Sequence, residues 1–170
     1  PIWLAYATGM LEKAGHEVKL VDAPARGWSN EEVIRDVEDF KPQLIVIDSN
    51  FSSLKNDIEV ARLLKENAGG VKTVLVGPPV SQYPDDILRA DGVDIVARLE
   101  YDAALCDIAS VLEKGKSLSN VRGISYKDSK GVWHNQDRPF MNTSELDRLP
   151  FVSKVYRLSL IHISEPTRLG

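Results

Sequence analysis

Cysteine is nearly absent from this 170-residue chain: Cys106 is the only one. A single cysteine closes no disulfide within the chain and cannot by itself hold an iron–sulfur cluster or a structural zinc. Histidine is scarce too, with three, and they do not cluster with the cysteine as metal ligands would. There is no Lys/Arg-rich run, and the formal net charge is -4. That balance argues against nucleic acid or an anionic membrane as a partner. No apolar stretch approaches the roughly 20 residues of a membrane span. No signal-peptide pattern is visible, and a reducing cytoplasm is the expected setting. G-x-S-x-G, H-E-x-x-H and P-loop motifs are all missing, so the familiar catalytic constellations are excluded.

What is present is a core-forming composition, 43% hydrophobic and 27% charged, and a repeat of apolar runs that end in small polar residues. VKLVDA ends at Asp22; LIVIDSN at Asp48, Ser49 and Asn50; VKTVLVGPPVS at Gly77 and Ser81; VDIVARLEYD at Glu100. Strands are predicted at Val18–Val21, Leu44–Ile47 (fully buried), Val71–Val76 and Val93–Ala97. Leu4, Ala7, Met10, Leu11 and Ala14 make an apolar helical face stopped by Gly15. A loop over Asp22–Trp28 leads to a helix capped by Ser29 or Asn30, with Val33, Ile34, Val37 and Phe40 as its buried face. Further helices are predicted near Leu54–Asn67 (Ile58, Ala61 and Leu64 inward), Pro84–Ala90 and Tyr101–Lys114. This alternation predicts an α/β fold with a doubly wound parallel sheet. Such a sheet normally begins with a strand, so a first strand is expected upstream of Pro1. Gly123–Lys127 and Val132–Asn135 flank a hairpin turn, and Arg138–Pro150 reads as a linker. The organisation expected is a domain over 1–116, then a hairpin and linker over 117–157. The stretch Leu158 to Arg168, LSLIHISEPTR, resembles the translated end of a transposase-based sequencing adapter; residues 158–170 are therefore expected to be an artefactual tail.

In sheets of this kind the ligand crevice lies outside the carboxyl ends of the strands. The candidate site residues follow from that rule. Ser49, Asn50 and Ser52 offer hydroxyls and backbone N–H groups near a helix N-terminus, with ordinary N-capping as the competing role. Gly77 would let a ligand approach the backbone, and Pro78 and Ser81 continue the same rim. Glu100 and Tyr101 close it, with Tyr101 either stacking on a ligand or covering the core edge. His16 reads as a turn residue, His134 as a structural or exposed hairpin residue, and Cys106 as a buried structural thiol.

The ordered strings LAYATGMLEKAGHEVKLVDAP, FKPQLIVIDSN, VLVGPPVSQYPDDIL and VDIVARLEYDAAL resemble the cobalamin-binding domain of B12-dependent radical SAM proteins. NVRGISYKDSKGVWHNQDRPF and ELDRLPFVSKVY resemble that family's hairpin and its linker into the radical SAM domain, so the resemblance runs over about residues 1–157. It implies a flavodoxin-like Rossmann domain that binds and positions cobalamin. By motif, Ser49, Asn50 and Ser52 would line the pocket for the nucleotide tail, Gly77, Pro78 and Ser81 the next wall, and Glu100 and Tyr101 the last. It also implies a C-terminal radical SAM domain carrying a [4Fe–4S] cluster and S-adenosylmethionine, with a parent enzyme that transfers a methyl group or runs a related radical reaction. The segment itself would be catalytically inert. Two departures stand out: Leu99 occupies a place where the family often has Gly before Glu, and no D-x-H-x-x-G offers a histidine to cobalt.

The main rival is a receiver-type signalling domain phosphorylated at Asp48, which shares the topology but expects a lysine where Arg98-Leu99-Glu100 stands. A nucleotide-sugar or flavin half-domain ranks lower because G-x-G-x-x-G is missing.

Overall fold

The computed structural model describes residues 2–155; the adapter-like stretch and His162 lie outside the described residues. The chain opens with helix α1 (Ile2–Lys13), which buries Ala5, Ala7, Thr8, Gly9 and Leu11. The turn after it passes through Gly15 at φ +95°. A single helical turn, α2 (Ala23–Arg26), is followed by α3 (Asn30–Phe40). Strand β1 (Leu44–Asp48), helix α4 (Leu54–Asn67), strand β2 (Lys72–Val76), the short helices α5 (Pro78–Gln82) and α6 (Pro84–Arg89), strand β3 (Ile95–Ala97) and helix α7 (Asp102–Glu113) come next. The hairpin β4 (Ile124–Asp128) and β5 (Gly131–His134) and two helical turns, α8 (Thr143–Leu146) and α9 (Val152–Val155), complete the described chain.

The five strands form one sheet in the order β1-β2-β3-β4-β5. β1, β2 and β3 are parallel, with Leu44 opposite Lys72 and Val74 opposite Ile95. β4 and β5 are antiparallel. The predicted hairpin therefore extends the sheet and makes it mixed rather than wholly parallel. Successive side chains of a strand point to opposite faces, and the two cores obey this. Val74, Val76, Ile95 and Ala97 join Ala7, Leu11, Leu105 and Ile108 on the α1–α7 side. Leu75 and Val96 join Ala61, Val80, Ile87 and Leu88 on the α4–α6 side. Helices on both faces are the doubly wound arrangement that the pattern predicts. None of the helices among the described residues is long and apolar enough to cross a membrane.

Several expectations are corrected. Val18–Val21 pairs with none of the five strands; a β-rich sequence becomes a strand only where a neighbour supplies the ladder, and Val18 instead rests half-buried against the α1–α7 core. β1 is not fully buried: all five residues are half-buried, because among the described residues it is the edge strand, with a partner on one side only. The inward face of α3 is likewise half-buried and holds no fully buried residue. The loop over Asp22–Trp28 contains α2, which Asp22 caps through Ala25 N–H at 3.0 Å and Gly27 ends at φ +65°. Ser29, of the two candidates, caps α3 in a reciprocal box with Glu32. Cys106 is half-buried, and burial pushes its thiol pKa up. His134 is structural: Nδ1 meets Ser125 Oγ at 2.8 Å and Nε2 meets Asp85 Oδ1 at 3.2 Å, joining β5 to α6.

The linker is docked rather than free. Pro150 lies so close to Gly9 of α1 that a Cβ there would sit 2.4 Å from its Cγ. Arg138 pairs with Asp107 of α7, and Asn142 and Glu145 form a second capping box that opens α8.

At the amino ends of β2 and β3, Asp94 accepts from Lys65 at 2.5 Å and from Thr73 N–H at 3.0 Å, with Lys72 at 3.5 Å. Burial alone would raise its pKa, but Lys65, the Thr73 N–H and Lys72 outweigh that and hold the carboxyl below its ordinary value. A depressed folded-state pKa gives stability that is present above the unfolded value, about 3.9, and is lost as pH falls through the folded value. Asp94→Asn is expected to cost about 2 kcal/mol at neutral pH. In urea melts the difference from the parent protein should shrink as pH drops below about 4; a pH-independent difference would contradict this account.

Candidate functional site

The carboxyl ends of the three parallel strands are tied into one ledge. Beyond β1, Ser49 N–H donates to the Val76 carbonyl at 2.9 Å, which carries the β1–β2 pairing one residue further. Beyond β2, Gly77 has φ +108°, and a Cβ on it would lie 2.1 Å from the Ser49 carbonyl oxygen. Beyond β3, Leu99 N–H donates to Ser81 Oγ at 2.9 Å. Ser49 and Gly77 are thus in contact, and Ser81 is bonded to the chain leaving β3. Gly77 is required here by the approach of its own neighbouring backbone.

The polar loop is largely satisfied from within. Ser49 Oγ donates to Asp57 Oδ2 at 2.6 Å, and Ser53 Oγ donates to the same oxygen at 2.5 Å. Asn50 Oδ1 accepts from Ser52 N–H at 2.9 Å, Ser52 Oγ at 2.5 Å and Ser53 N–H at 3.0 Å. These bonds organise the turn into α4, as Asx turns do. Asn50, Ser52 and Pro78 remain exposed. Glu100 is engaged as well: its Oε2 accepts from Met141 N–H at 2.9 Å, so the last wall is bonded to the linker.

Tyr101 is almost wholly buried, and its Oη has no hydrogen-bond partner among the described residues. Asp102 Oδ1 is likewise buried and unpartnered. Burial raises the pKa of Tyr101, with Asp48 and Asp102 adding to the rise. Burial also raises Asp48, with Asp57 adding, and raises Asp102, with Glu100 adding. Perturbed titratable groups cluster at functional sites, and these three stand at or just past the ends of β1 and β3.

Two rim residues were outside the sequence-derived set. Phe51 is 61% exposed and Leu99 is 50% exposed, one past β1 and the other past β3. Leu99 holds φ +58°, a left-handed conformation that costs a residue with a side chain and suits glycine. Its strain explains why a glycine would be at ease there. The signal for it was in the sequence, as a leucine standing where Gly-Glu was expected. Nothing in the sequence pointed to Asp57, which serves Ser49 and Ser53 from the first turn of α4.

Residues 1–109 match the family model described as the B12 binding domain. The chain belongs to this family. It is 27% identical over 154 residues to an uncharacterized methyltransferase of Pyrococcus horikoshii, covering 90% of this chain and 33% of that protein. It is 26% identical over 153 residues to the anaerobic magnesium-protoporphyrin IX monomethyl ester cyclase of a Synechocystis species, covering 88% and 30%. The chain therefore spans about a third of the length of these curated relatives. Among solved structures, it superposes on the cobalamin-dependent S-adenosylmethionine radical enzyme OxsB with aqua-cobalamin bound, with TM-score 0.71 and 23% identity, covering 82% of this chain and 20% of that one. It also superposes on the radical S-adenosylmethionine methyltransferase TsrM of Kitasatospora setae with cobalamin and a [4Fe-4S] cluster bound, with TM-score 0.70 and 15% identity, covering 84% and 27%. At these identities the structural likeness shows the fold. The family match assigns the chain to B12 binding rather than to the receiver class, and Asp48 is a half-buried carboxyl at the back of the ledge.

A corrinoid is a broad ring with apolar faces, an amide-bearing edge and a nucleotide tail. Exposed Phe51 and Leu99 offer apolar surface to such a ring, and exposed Asn50 and Ser52 offer polar groups beside it. Among the described residues, no group of three or more His, Cys, Asp or Glu is placed to hold a metal ion.

Gly77→Ala is expected to destabilise the protein by about 3 kcal/mol or more, because backbone must separate from backbone to admit the methyl group. Leu99→Gly should instead stabilise it by about 0.5 kcal/mol through relief of the left-handed leucine. Paired chemical melts check both, and equal midpoints for Gly77→Ala and the parent would refute the close approach.

Proposed function

We propose that this chain is the corrinoid-holding module of a cobalamin-dependent radical SAM enzyme, most simply a methyltransferase, and that its own task is to bind and orient cobalamin rather than to carry out chemistry. The observation that carries this reading is the coincidence of the family match over residues 1–109 with a tied strand-end ledge bearing unpartnered buried polar atoms. The relatives support the rest by what they are called: a methyltransferase, and radical S-adenosylmethionine enzymes described with cobalamin.

Bound cobalamin would supply cobalt-centred methyl-transfer chemistry. The chain's residues would do the holding. Ser49, Asn50 and Ser52 would form the wall beside the nucleotide tail. Ser49 acts there through its backbone and position, since its hydroxyl is committed to Asp57. Gly77, Pro78 and Ser81 would form the middle wall, where Gly77 sets the level of the ledge and Ser81 fixes Leu99. Glu100 and Tyr101 would form the last wall. Because Glu100 also bonds Met141, movement of the linker would be felt at that wall. The linker would lead to a C-terminal radical SAM domain with a [4Fe–4S] cluster and S-adenosylmethionine, in a cytoplasmic enzyme.

Titration of hydroxocobalamin with this chain tests the proposal. The expected result is a weak but saturable change in the visible spectrum. A linear, unsaturable response would overturn it.

A further inference from the structure

Helix α1 has no charged face. Its sequence, IWLAYATGMLEK, carries no charge before Glu12 and Lys13 in the last turn. A helix at the surface of a globular protein keeps charged residues on the side away from the core, whereas a helix that is apolar all round is enclosed all round. α1 is enclosed on two sides. Leu4, Ala7 and Leu11 face the core shared with Leu105 and Ile108 of α7. Gly9 lies under the linker, where a Cβ would meet the Pro150 Cγ at 2.4 Å and the Val155 Cγ2 at 3.0 Å.

The third side is open. At 3.6 residues per turn, Ile2, Tyr6 and Gly9 follow one another along the helix, and Trp3 stands beside them. Ile2 is 53% exposed and Trp3 is 64% exposed, and the rings of Trp3 and Tyr6 lie 6.3 Å apart. The stripe is therefore continuous with the seat of Pro150. The linker covers its carboxyl-terminal part and leaves its amino-terminal part bare. Adjoining exposed apolar side chains mark interaction sites, and Trp and Tyr are enriched where proteins meet.

The course of the linker indicates what covers them. α9 rests on α1, so polypeptide continuing beyond α9 sets out from the flank of this stripe. The matched region is 33% of one curated relative and 30% of another, so most of such a protein lies outside it. We infer that Ile2, Trp3 and Tyr6 form the surface on which the domain following α9 docks in the longer protein. This rests on the reading that the chain leads into a further domain. The partner surface is uncharged and apolar, with one acceptor for the Trp3 indole N–H. α1 is then a helix shared by two domains, held by the sheet core on one side and by its neighbour on the other.

The test compares this chain with the longer protein that continues through the following domain, by hydroxyl-radical labelling of Trp3 read by mass spectrometry. Trp3 is expected to label strongly in this chain and to lose that labelling in the longer protein. A second arm introduces Ile2→Lys and Trp3→Lys together into both. The pair should leave the melting temperature of this chain unchanged and should speed proteolysis of the linker in the longer protein. Equal labelling of Trp3 in the two proteins, or unchanged proteolysis of the longer variant, overturns the inference and leaves the corrinoid reading standing. Labelling that falls as this chain is concentrated also overturns it, because a second copy then covers the stripe. A lower melting temperature for the double variant of this chain does the same, since the two side chains would then belong to this domain's own core. If the longer protein holds no further domain, the reading of this chain as a module fails and the inference fails with it.

Discussion

Gly77 lies so close to the Ser49 carbonyl that any side chain there would collide with backbone, and the carboxyl edge of the sheet is organised around that contact. It lets β1 and β2 stay paired one residue past Asp48. That extra residue brings Ser49 inward, where its hydroxyl reaches Asp57 and fixes the first turn of α4. On the other side, the chain leaving Gly77 enters α5 at once, which delivers Ser81 to the Leu99 N–H. Three strand ends thus share one level because two peptide units approach closely.

The two ends of the sheet treat acidic side chains in opposite ways. At the amino end Asp94 is surrounded by lysines and backbone donors, and its charge is stabilised. At the carboxyl end burial raises the pKa of half-buried Asp48 and Asp102, with Asp57 and Glu100 adding to the rise.

Much of the architecture was legible because it rests on local patterns. α4 and α7 follow helical periodicity and lie within a residue or so of their expected bounds. β2 and β3 fall inside their apolar runs, and the hairpin turn lies between its two predicted arms. What depended on neighbours was not legible. Val18–Val21 has strand-like residues but no ladder, and β1 has a buried-strand sequence but an edge position. At the site, the strand-end rule pointed to Ser49, Gly77 and Ser81, which the structure ties to the ends of β1, β2 and β3. It did not reveal that the serine hydroxyls are already engaged, that Glu100 bonds the linker, or that Tyr101 has a free oxygen. Those facts depend on contacts between residues as far apart as Glu100 and Met141, and no spacing in the sequence encodes them.

The seating of Pro150 against Gly9 has a consequence for how the chain assembles. Helix α1 precedes both of its principal partners in the sequence: α7, about a hundred residues later, and α9, near the end of the described chain. Synthesis from the ribosome runs from the amino terminus, so the parallel strands and α4 are available to one another while α1 still lacks most of its cover. Contacts across such long separations are slow to close. Helix α1 is thus enclosed only when segments a hundred or more residues later reach it.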